Sequence, residues 1–97
     1  MKHALYKLRV PDDVAGIIRG MHPHLKSKIK ASLLTILADP NSGKALRDEL
    51  VDLRSFRVGH FRIIYRIAST KQIEVVALGP RERIYEETFR LLNKKTE

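Results

Sequence analysis

Residues 54–67, with the sequence RSFRVGHFRIIYRI, decide the fold of this chain. Large apolar residues recur at every second position on both sides of the dipeptide Gly59-His60, which is typical of two half-buried β-strands. A two-residue connection that begins with glycine predicts a tight type II′ turn. The stretch therefore predicts an antiparallel hairpin in which Arg57 lies directly opposite Arg62.

The register of this hairpin distributes its side chains over two faces of a sheet. We expect one face to pack against helices, with Phe56, Val58, Phe61, Ile63, Tyr65 and Ile67, and the other to carry Arg57, Arg62, Ile64 and Arg66. Because two opposed arginines repel each other, folding alone does not favour the pair Arg57–Arg62. The pair would attract an anion. The alternative is a solvated face whose arginine stems cover apolar surface.

Weaker patterns outline the rest of the chain. They predict a strand over residues 3–10, helices over about 12–21 and 25–37, a loop over 39–43, a third hairpin strand around 73–77 and a final helix over 82–93. The order β-α-α-β-β-β-α predicts an α+β fold. We expect a mainly antiparallel four-stranded sheet, with an N-terminal helical hairpin packed on one face and a C-terminal helix. The length suits a single domain over residues 1–97.

The second hairpin connects the sheet to the last helix. The predicted register pairs Ile67 with Ile73, Arg66 with Glu74 and Arg62 with Leu78. Of these, the pair of Arg66 and Glu74 predicts an ion pair at the surface. Since the strand ends close to the hairpin arginines, we expect an arginine cluster at that end: Arg57, Arg62, Arg81 and, nearby, Arg83.

Composition narrows the class of protein. The chain of 97 residues has a net charge of +8 and no cysteine, which excludes a disulfide scaffold and a thiolate zinc site. No apolar run approaches the roughly 20 residues of a membrane span, so we expect a cytoplasmic protein without a membrane partner. Seven of the ten arginines follow residue 50. Because arginine matches phosphate geometry, the second half resembles a recognition surface for an acidic partner.

The candidate chemistry is independent of a metal or cofactor, since no cysteine or acidic cluster accompanies the histidines His3, His22, His24 and His60. A basic surface of this kind suits cleavage of RNA through its own 2′-hydroxyl. That reaction needs a base, cations for the phosphate and an acid. Arg62 and Arg81 can supply the cations. Tyr85, four residues after Arg81, can transfer a proton, although packing of an amphipathic helix also explains a tyrosine there.

The sequence resembles the RelE/ParE superfamily of toxins from type II toxin–antitoxin modules. The residues that carry the resemblance are Leu46 and Leu50, the run FRVGHFRIIY at 56–65 and the block LGPRERIY at 78–85. The second block is more similar to the RelE branch than to the ParE branch. A RelE-like toxin would be a metal-independent endoribonuclease that cuts mRNA on the ribosome and inhibits translation.

The resemblance also implies roles for particular residues. Arg62 matches an arginine that binds the scissile phosphate, Arg81 a second phosphate-stabilising arginine, and Tyr85 the catalytic tyrosine. Arg57 matches a basic strand residue that contacts RNA, and Arg83, Arg54 and His60 are further candidates for RNA or phosphate binding. The implied partners are the ribosome, mRNA and a small, acidic, DNA-binding antitoxin. Operator DNA would be bound only through the antitoxin complex.

One departure from the family pattern concerns the general base. Strongly catalytic members carry lysines on the strand before the turn, where this chain has Leu53 and Ser55. Tyr85 or His60 would then substitute, or Arg54 would reach round at a bulge, or catalysis would be weak. Two other functions stay as alternatives: a ParE-like inhibitor of DNA gyrase, and a toxin homologue that acts mainly by binding antitoxin and operator.

Overall fold

The computed structural model describes residues 6–95, with the exception of the side chains of residues 49 and 93–95. In chain order, its elements are β1 (Lys7–Arg9), α1 (Asp12–Arg19), α2 (Pro23–Ala38), β2 (Lys44–Ala45), β3 (Arg54–Val58), β4 (Phe61–Ser69), β5 (Gln72–Pro80) and α3 (Arg81–Lys95), with short 3₁₀ turns at Pro40–Ser42 and Asp48–Leu50. The first residues of the predicted strand over 3–10, positions 3–5, lie outside the described part. Within that part, no helix combines the length and apolarity that crossing a membrane requires.

The sheet is mixed and has the strand order β1-β5-β4-β3-β2. The α+β class is confirmed, but the predicted count of four strands is wrong because β2 adds a fifth. Strand β2 has two residues and no alternation of apolar and polar side chains, so sequence periodicity gives no sign of it. At the opposite edge β1 pairs with β5 in parallel, while the remaining pairs are antiparallel.

The two N-terminal helices cover one face of the sheet. They bury Val14 from α1 and Ile29, Leu33 and Ile36 from α2 in a cluster with the apolar side chains of β3, β4 and β5. Helix α1 lies against β5 and α2 against β3, and the two helices also contact each other. The predicted position of the two helices on one face of the sheet is therefore confirmed, whereas their packing against each other as a hairpin is confirmed only in part.

Helix α3 covers the opposite face. Ile64 of β4 and Ile84 of α3 are fully buried in a second cluster beneath it. Burial of one such side chain is worth roughly 1.5–3 kcal/mol, so these contacts fix the helix over the strands. The sheet thus lies between two layers of helix, and the start of α3 comes next to the face that carries Arg57.

The central hairpin has the predicted register. Strands β3 and β4 pair Val58 with Phe61 and Arg57 with Arg62. Gly59 has a φ of 60°, and among the described residues only Asp48 is a non-glycine with positive φ. A positive φ at the first turn residue alone agrees with type II′, because type I′ needs it at both residues.

A β-bulge changes the second hairpin. Ile64 pairs with Ala77, whereas its neighbour Tyr65 pairs with Val75, so Val76 is an extra residue on β5. An extra residue reverses the side-chain alternation beyond it. Val75 consequently faces α1 and α2, and Ala77 faces α3.

Because of the bulge, the predicted pairing of Arg62 with Leu78 is wrong. Arg62 pairs with Gly79 instead of Leu78, whose side chain packs in the cluster beneath α1 and α2. A Cβ on Gly79 would lie 3.1 Å from Cδ1 of Ile84. The glycine therefore allows α3 to approach β5 closely beside Arg62.

Candidate functional site

An arginine pair on the β3–β4 hairpin forms the centre of the candidate site. Arg57 is exposed and Arg62 is half-buried, and they lie directly opposite each other on the face covered by α3. An Nη1 atom of Arg62 donates long hydrogen bonds to the carbonyls of Phe61 (3.2 Å) and Gly59 (3.4 Å). Among the described residues, no carboxylate forms an ion pair with either guanidinium. Because the two guanidinium groups repel each other, an anion between them is favoured.

The start of α3 is joined to the turn of this hairpin. The backbone N–H of Arg81, the first residue of α3, donates a 2.8 Å hydrogen bond to the carbonyl of His60. Arg62 also pairs with Gly79, two residues before Arg81. These two connections hold the exposed Arg81 at the same end of the sheet as the hairpin pair. The positive end of the α3 dipole adds to the attraction for an anion.

Tyr85 lies one helical turn after Arg81 and contacts the same sheet face. Its hydroxyl is 3.0 Å from Oγ of the buried Ser55, and either oxygen can be the donor. Ser55 is two residues before Arg57 on β3, which corresponds to roughly 7 Å along a strand. The structure therefore brings together Arg57, Arg62, Arg81 and Tyr85 on one surface, which we call the arginine face.

His60 and Arg83 lie outside the arginine face. His60 is exposed in the turn beside Arg81. Arg83 is also exposed, but two residues along a helix correspond to a rotation of about 200°, so it projects away from the direction of Arg81. The hairpin end therefore presents the imidazole of His60, whereas Arg83 lies to the side of the arginine face.

Two other arginines are occupied elsewhere. Arg54 belongs to the opposite face, where its Nη1 donates to the carbonyls of Gly43 (2.7 Å) and Asn41 (3.4 Å). The structure does not bring Arg54 round to the arginine face. Nε of Arg66 lies 2.8 Å from Oε1 of Glu74, which confirms the predicted surface ion pair.

Two positively charged side chains next to Tyr85 were not predicted from the sequence. A hollow of about 360 Å³ next to the arginine face is lined by Lys44, Ala45, Leu46, Arg47 and Tyr85. Lys44 and Arg47 are exposed. No signal in the sequence marks this contact, because it depends on the two-residue strand β2.

The remaining polar groups do not form a metal site in the part of the chain that the structure describes, where no three His, Cys, Asp or Glu side chains converge. His3 lies outside that part, and His22 and His24 are exposed at the start of α2. Nδ1 of His22 accepts the backbone N–H of His24, which gives it a capping role.

The buried Tyr65 lies behind the arginine face, beneath α2. Burial raises the pKa of its hydroxyl above 10.0, whereas the hydrogen bond from Gly43 and the nearby Arg54 oppose this increase. The hydroxyl donates to the carbonyl of Pro40 at 2.6 Å and accepts from the N–H of Gly43 at 3.0 Å. Tyr65 therefore holds the segment that leads into β2.

Several solved structures with a similar fold are described as toxins or as toxin–antitoxin complexes. A mutant of the Escherichia coli toxin RelE in the free state has a TM-score of 0.73 at 19% identity, over 94% of this chain and 97% of that one. The RelBE2 toxin–antitoxin complex from Mycobacterium tuberculosis has a TM-score of 0.70 at 22% identity, over 79% and 99%. The archaeal RelE–RelB complex from Pyrococcus horikoshii OT3 has a TM-score of 0.64 at 18% identity, over 81% and 98%.

The sequence gives the family directly. No curated protein sequence matches the chain significantly. The profile of the family described as "ParE toxin of type II toxin-antitoxin system, parDE" matches residues 5–85, which is most of the chain. The preference for the RelE branch stays a prediction, since the matching profile bears the name of ParE. The chain therefore belongs to the RelE/ParE superfamily of toxins from type II toxin–antitoxin systems.

Proposed function

We propose that this toxin is a metal-independent endoribonuclease that cuts mRNA on the ribosome and thereby inhibits translation. The observation that carries the proposal is the arginine face, where the opposed pair Arg57–Arg62 adjoins Arg81 and Tyr85. Folding gains nothing from opposed arginines, whereas a phosphate gains charge-assisted hydrogen bonds from several guanidinium groups. The chain thus concentrates phosphate-binding groups beside a phenol that can move a proton.

The proposed reaction is cleavage by the 2′-hydroxyl of the RNA. The 2′-oxygen loses its proton to a base and bonds to phosphorus, while the bond from phosphorus to the 5′-oxygen breaks and that oxygen takes a proton from an acid. The products are a 2′,3′-cyclic phosphate and a free 5′-hydroxyl. Arg62 and Arg81 donate hydrogen bonds to the phosphoryl oxygens, whose negative charge grows in the pentacoordinate transition state.

Tyr85 and His60 are the proposed proton carriers. The hydroxyl of Tyr85 contacts Ser55 on one side of Arg57, and His60 lies in the turn on the other side. In-line displacement requires the base and the acid on opposite sides of phosphorus, and the positions of Tyr85 and His60 to either side of Arg57 support this assignment. RNA with sulfur in place of the 5′-oxygen distinguishes their roles, since a thiolate leaves without protonation. This substrate should restore cleavage to the variant that lacks the acid, Tyr85→Phe or His60→Ala, and not to the other.

The decisive experiment measures cleavage of mRNA on programmed ribosomes. Loss of one preorganised donor costs roughly 10²–10³ in rate, so Arg62→Ala and Arg81→Ala should each lose that much. Arg66→Ala is the matched control, because its guanidinium pairs with Glu74 and should leave the rate within about threefold. Full cleavage by Arg62→Ala and Arg81→Ala would show that the phosphate lies elsewhere.

The family profile favours a second candidate, inhibition of DNA gyrase by binding, because that profile is named for ParE toxins. Purified toxin would then block supercoiling by gyrase and leave mRNA intact. Arg81→Ala and Tyr85→Phe would retain toxicity, since a binding inhibitor does not need a phosphate site with a proton carrier. A chain that neither cleaves mRNA nor inhibits gyrase would be the third candidate, a homologue that acts through antitoxin and operator binding.

We further propose that a small, acidic, DNA-binding antitoxin neutralises this toxin in the cytoplasm and bridges it to operator DNA. The net charge of +8 supports an acidic partner, and two similar structures are complexes of a toxin with its antitoxin. Coexpression with the small acidic protein of the neighbouring reading frame should yield a stable complex. The toxin alone should not bind the operator, and a complex that fails to form would contradict the assignment.

A further inference from the structure

A buried hydroxyl on β3 lies against the phenol that the proposed reaction uses. Ser55 is only 7% exposed, and its Oγ is 3.0 Å from the hydroxyl of Tyr85 on α3. Another buried hydroxyl, that of Thr88, donates to the carbonyl of Ile84 within its own helix at 2.7 Å. Ser55 instead connects two elements, and its partner is a candidate proton carrier.

The surroundings of Ser55 are apolar. It pairs with Ile64 of β4, which is fully buried in the cluster beneath α3 together with Leu53. The half-buried ring of Tyr85 packs against the same cluster. A hydroxyl in such a place loses the hydration that it has in the unfolded chain, whereas an apolar side chain of similar size does not. Packing alone therefore does not favour a serine at this position.

Strand β3 relates this contact to the phosphate-binding groups. Arg57 is two residues after Ser55 on the same face of the strand, roughly 7 Å away, and lies opposite Arg62. Ser55 is paired on both sides, with Lys44 of β2 and Ile64 of β4. An oxygen that Ser55 holds consequently has a fixed position relative to the arginine pair.

We propose that Ser55 is a positioning residue, which holds the hydroxyl of Tyr85 in place beside the arginine face during proton transfer. The inference deepens the proposed ribonuclease function and rests on it. Because Ser55 is buried, it acts through Tyr85 and not by contact with the RNA. The rate of the bound complex should therefore depend on Ser55, whereas the binding of mRNA should not.

A hydroxyl suits this role because it serves both protonation states of the phenol. A serine side chain has one donor and two acceptor lone pairs, and its hydrogen rotates about the C–O bond. Oγ of Ser55 accepts a hydrogen bond from the neutral phenol of Tyr85 and donates one to the phenolate. The phenol oxygen then keeps its position whether Tyr85 gives or takes the proton.

The kinetics of mRNA cleavage on programmed ribosomes test the assignment. Misplacement of a reacting group by about 1 Å can lower a rate roughly 10²-fold, so Ser55→Ala should lower kcat by about five- to a hundredfold and change KM by less than about twofold. The matched control is Ser32→Ala, which removes a hydroxyl from α2 on the opposite side of the sheet and should leave both constants within about twofold.

The conservative variant Ser55→Thr keeps the hydroxyl and should restore kcat to within about fivefold of the wild type. Urea denaturation shows whether this variant is folded. A folded Ser55→Thr that cleaves as slowly as Ser55→Ala would overturn the role of the hydroxyl.

A double variant separates positioning from a general loss of structure. If Ser55 acts through Tyr85, Ser55→Ala combined with Tyr85→Phe should cleave at the rate of Tyr85→Phe alone. A loss of folded toxin would lower the rate in both backgrounds, and losses that multiply would overturn the proposal. RNA with sulfur in place of the 5′-oxygen should likewise restore cleavage to both single variants or to neither.

The positioning role and the proposed function fail in different ways. If the wild type cleaves mRNA while Ser55→Ala loses less than fivefold in kcat, the positioning role is wrong and the ribonuclease function stands. If the wild type leaves mRNA intact on programmed ribosomes, the function and the positioning role are both overturned.

Discussion

Removal of the Tyr65 hydroxyl is the sharpest test of how the fold holds the segment before β2. The variant Tyr65→Phe keeps the ring, which is completely buried, and deletes one oxygen. That oxygen donates to the carbonyl of Pro40 and accepts from the N–H of Gly43. Both of these residues are buried, so water does not readily replace the lost partner.

The expected loss of stability follows from the two backbone groups that would lose their hydrogen-bond partner, the carbonyl of Pro40 and the N–H of Gly43. Each buried backbone group that loses its partner costs roughly 1–3 kcal/mol, because the desolvation penalty is no longer offset. Partial relaxation of the loop lowers the sum, so Tyr65→Phe should reduce the free energy of unfolding by about 2–4 kcal/mol. For a domain of this size that corresponds to a decrease in Tm of roughly 10–20 °C.

Chemical denaturation in urea, followed by far-UV circular dichroism, measures the difference. Tyr6→Phe is a matched control, because Tyr6 is only partly buried at the edge of the core, and it should cost less than about 0.5 kcal/mol. If Tyr65→Phe unfolds at the same midpoint and with the same m-value as the wild type, the two hydrogen bonds do not stabilise the fold and the reasoning is refuted.

Three further predictions concern stability. Burial raises the pKa of Tyr65 above 10.0, so the stabilisation from its neutral hydroxyl is fully present below pH 10. The free energy of unfolding should fall as the pH rises through the higher pKa of the folded state. In denaturation at pH 9–11.5, Tyr65→Phe should lose less stability than the wild type. Gly59→Ala should cost about 1–2 kcal/mol in urea denaturation, since φ is 60° there, and an unchanged midpoint would contradict the positive φ. Glu74→Ala should cost less than about 1 kcal/mol, because its partners Arg66 and Arg9 are largely solvent-exposed, and a Tm decrease above 8 °C would contradict this.

The hairpin was predictable because its information is local. Period-two alternation fixes which side chains share a face, and the dipeptide Gly59-His60 fixes the loop length, so the opposition of Arg57 and Arg62 follows. The helical spacing of Arg81 and Tyr85 likewise places both on one side of α3. These rules brought the main residues of the candidate site together, while their chemical roles stay a prediction.

The rest depends on contacts that the sequence does not mark. Strand β2 exists because Lys44 and Ala45 meet the edge of β3, and a two-residue segment has no period to detect. The orientation of Arg54 depends on the carbonyls of Gly43 and Asn41, which only the folded loop brings within reach. The undetected strand and the hydrogen bonds of Arg54 both concern the same loop, whose position is set by tertiary hydrogen bonds.

The bulge at Val76 was not predicted either, because the four consecutive apolar residues from Val75 to Leu78 could each face either side of the sheet. The bulge also determines which residue of β5 lies opposite Arg62 in the candidate site. Without the extra residue, Leu78 would lie opposite Arg62 and cover the arginine face with an apolar side chain.

With the bulge, Leu78 packs in the core and Gly79 takes the position opposite Arg62. The missing Cβ lets Ile84 approach, and Tyr85, the next residue of α3, then comes within hydrogen-bond distance of Ser55. A single extra residue in β5 therefore clears the surface beside the half-buried arginine and sets the distance of the helix that carries the phenol. The assembly of the arginine face depends on this irregularity in the strand as much as on the regular alternation that made the hairpin predictable.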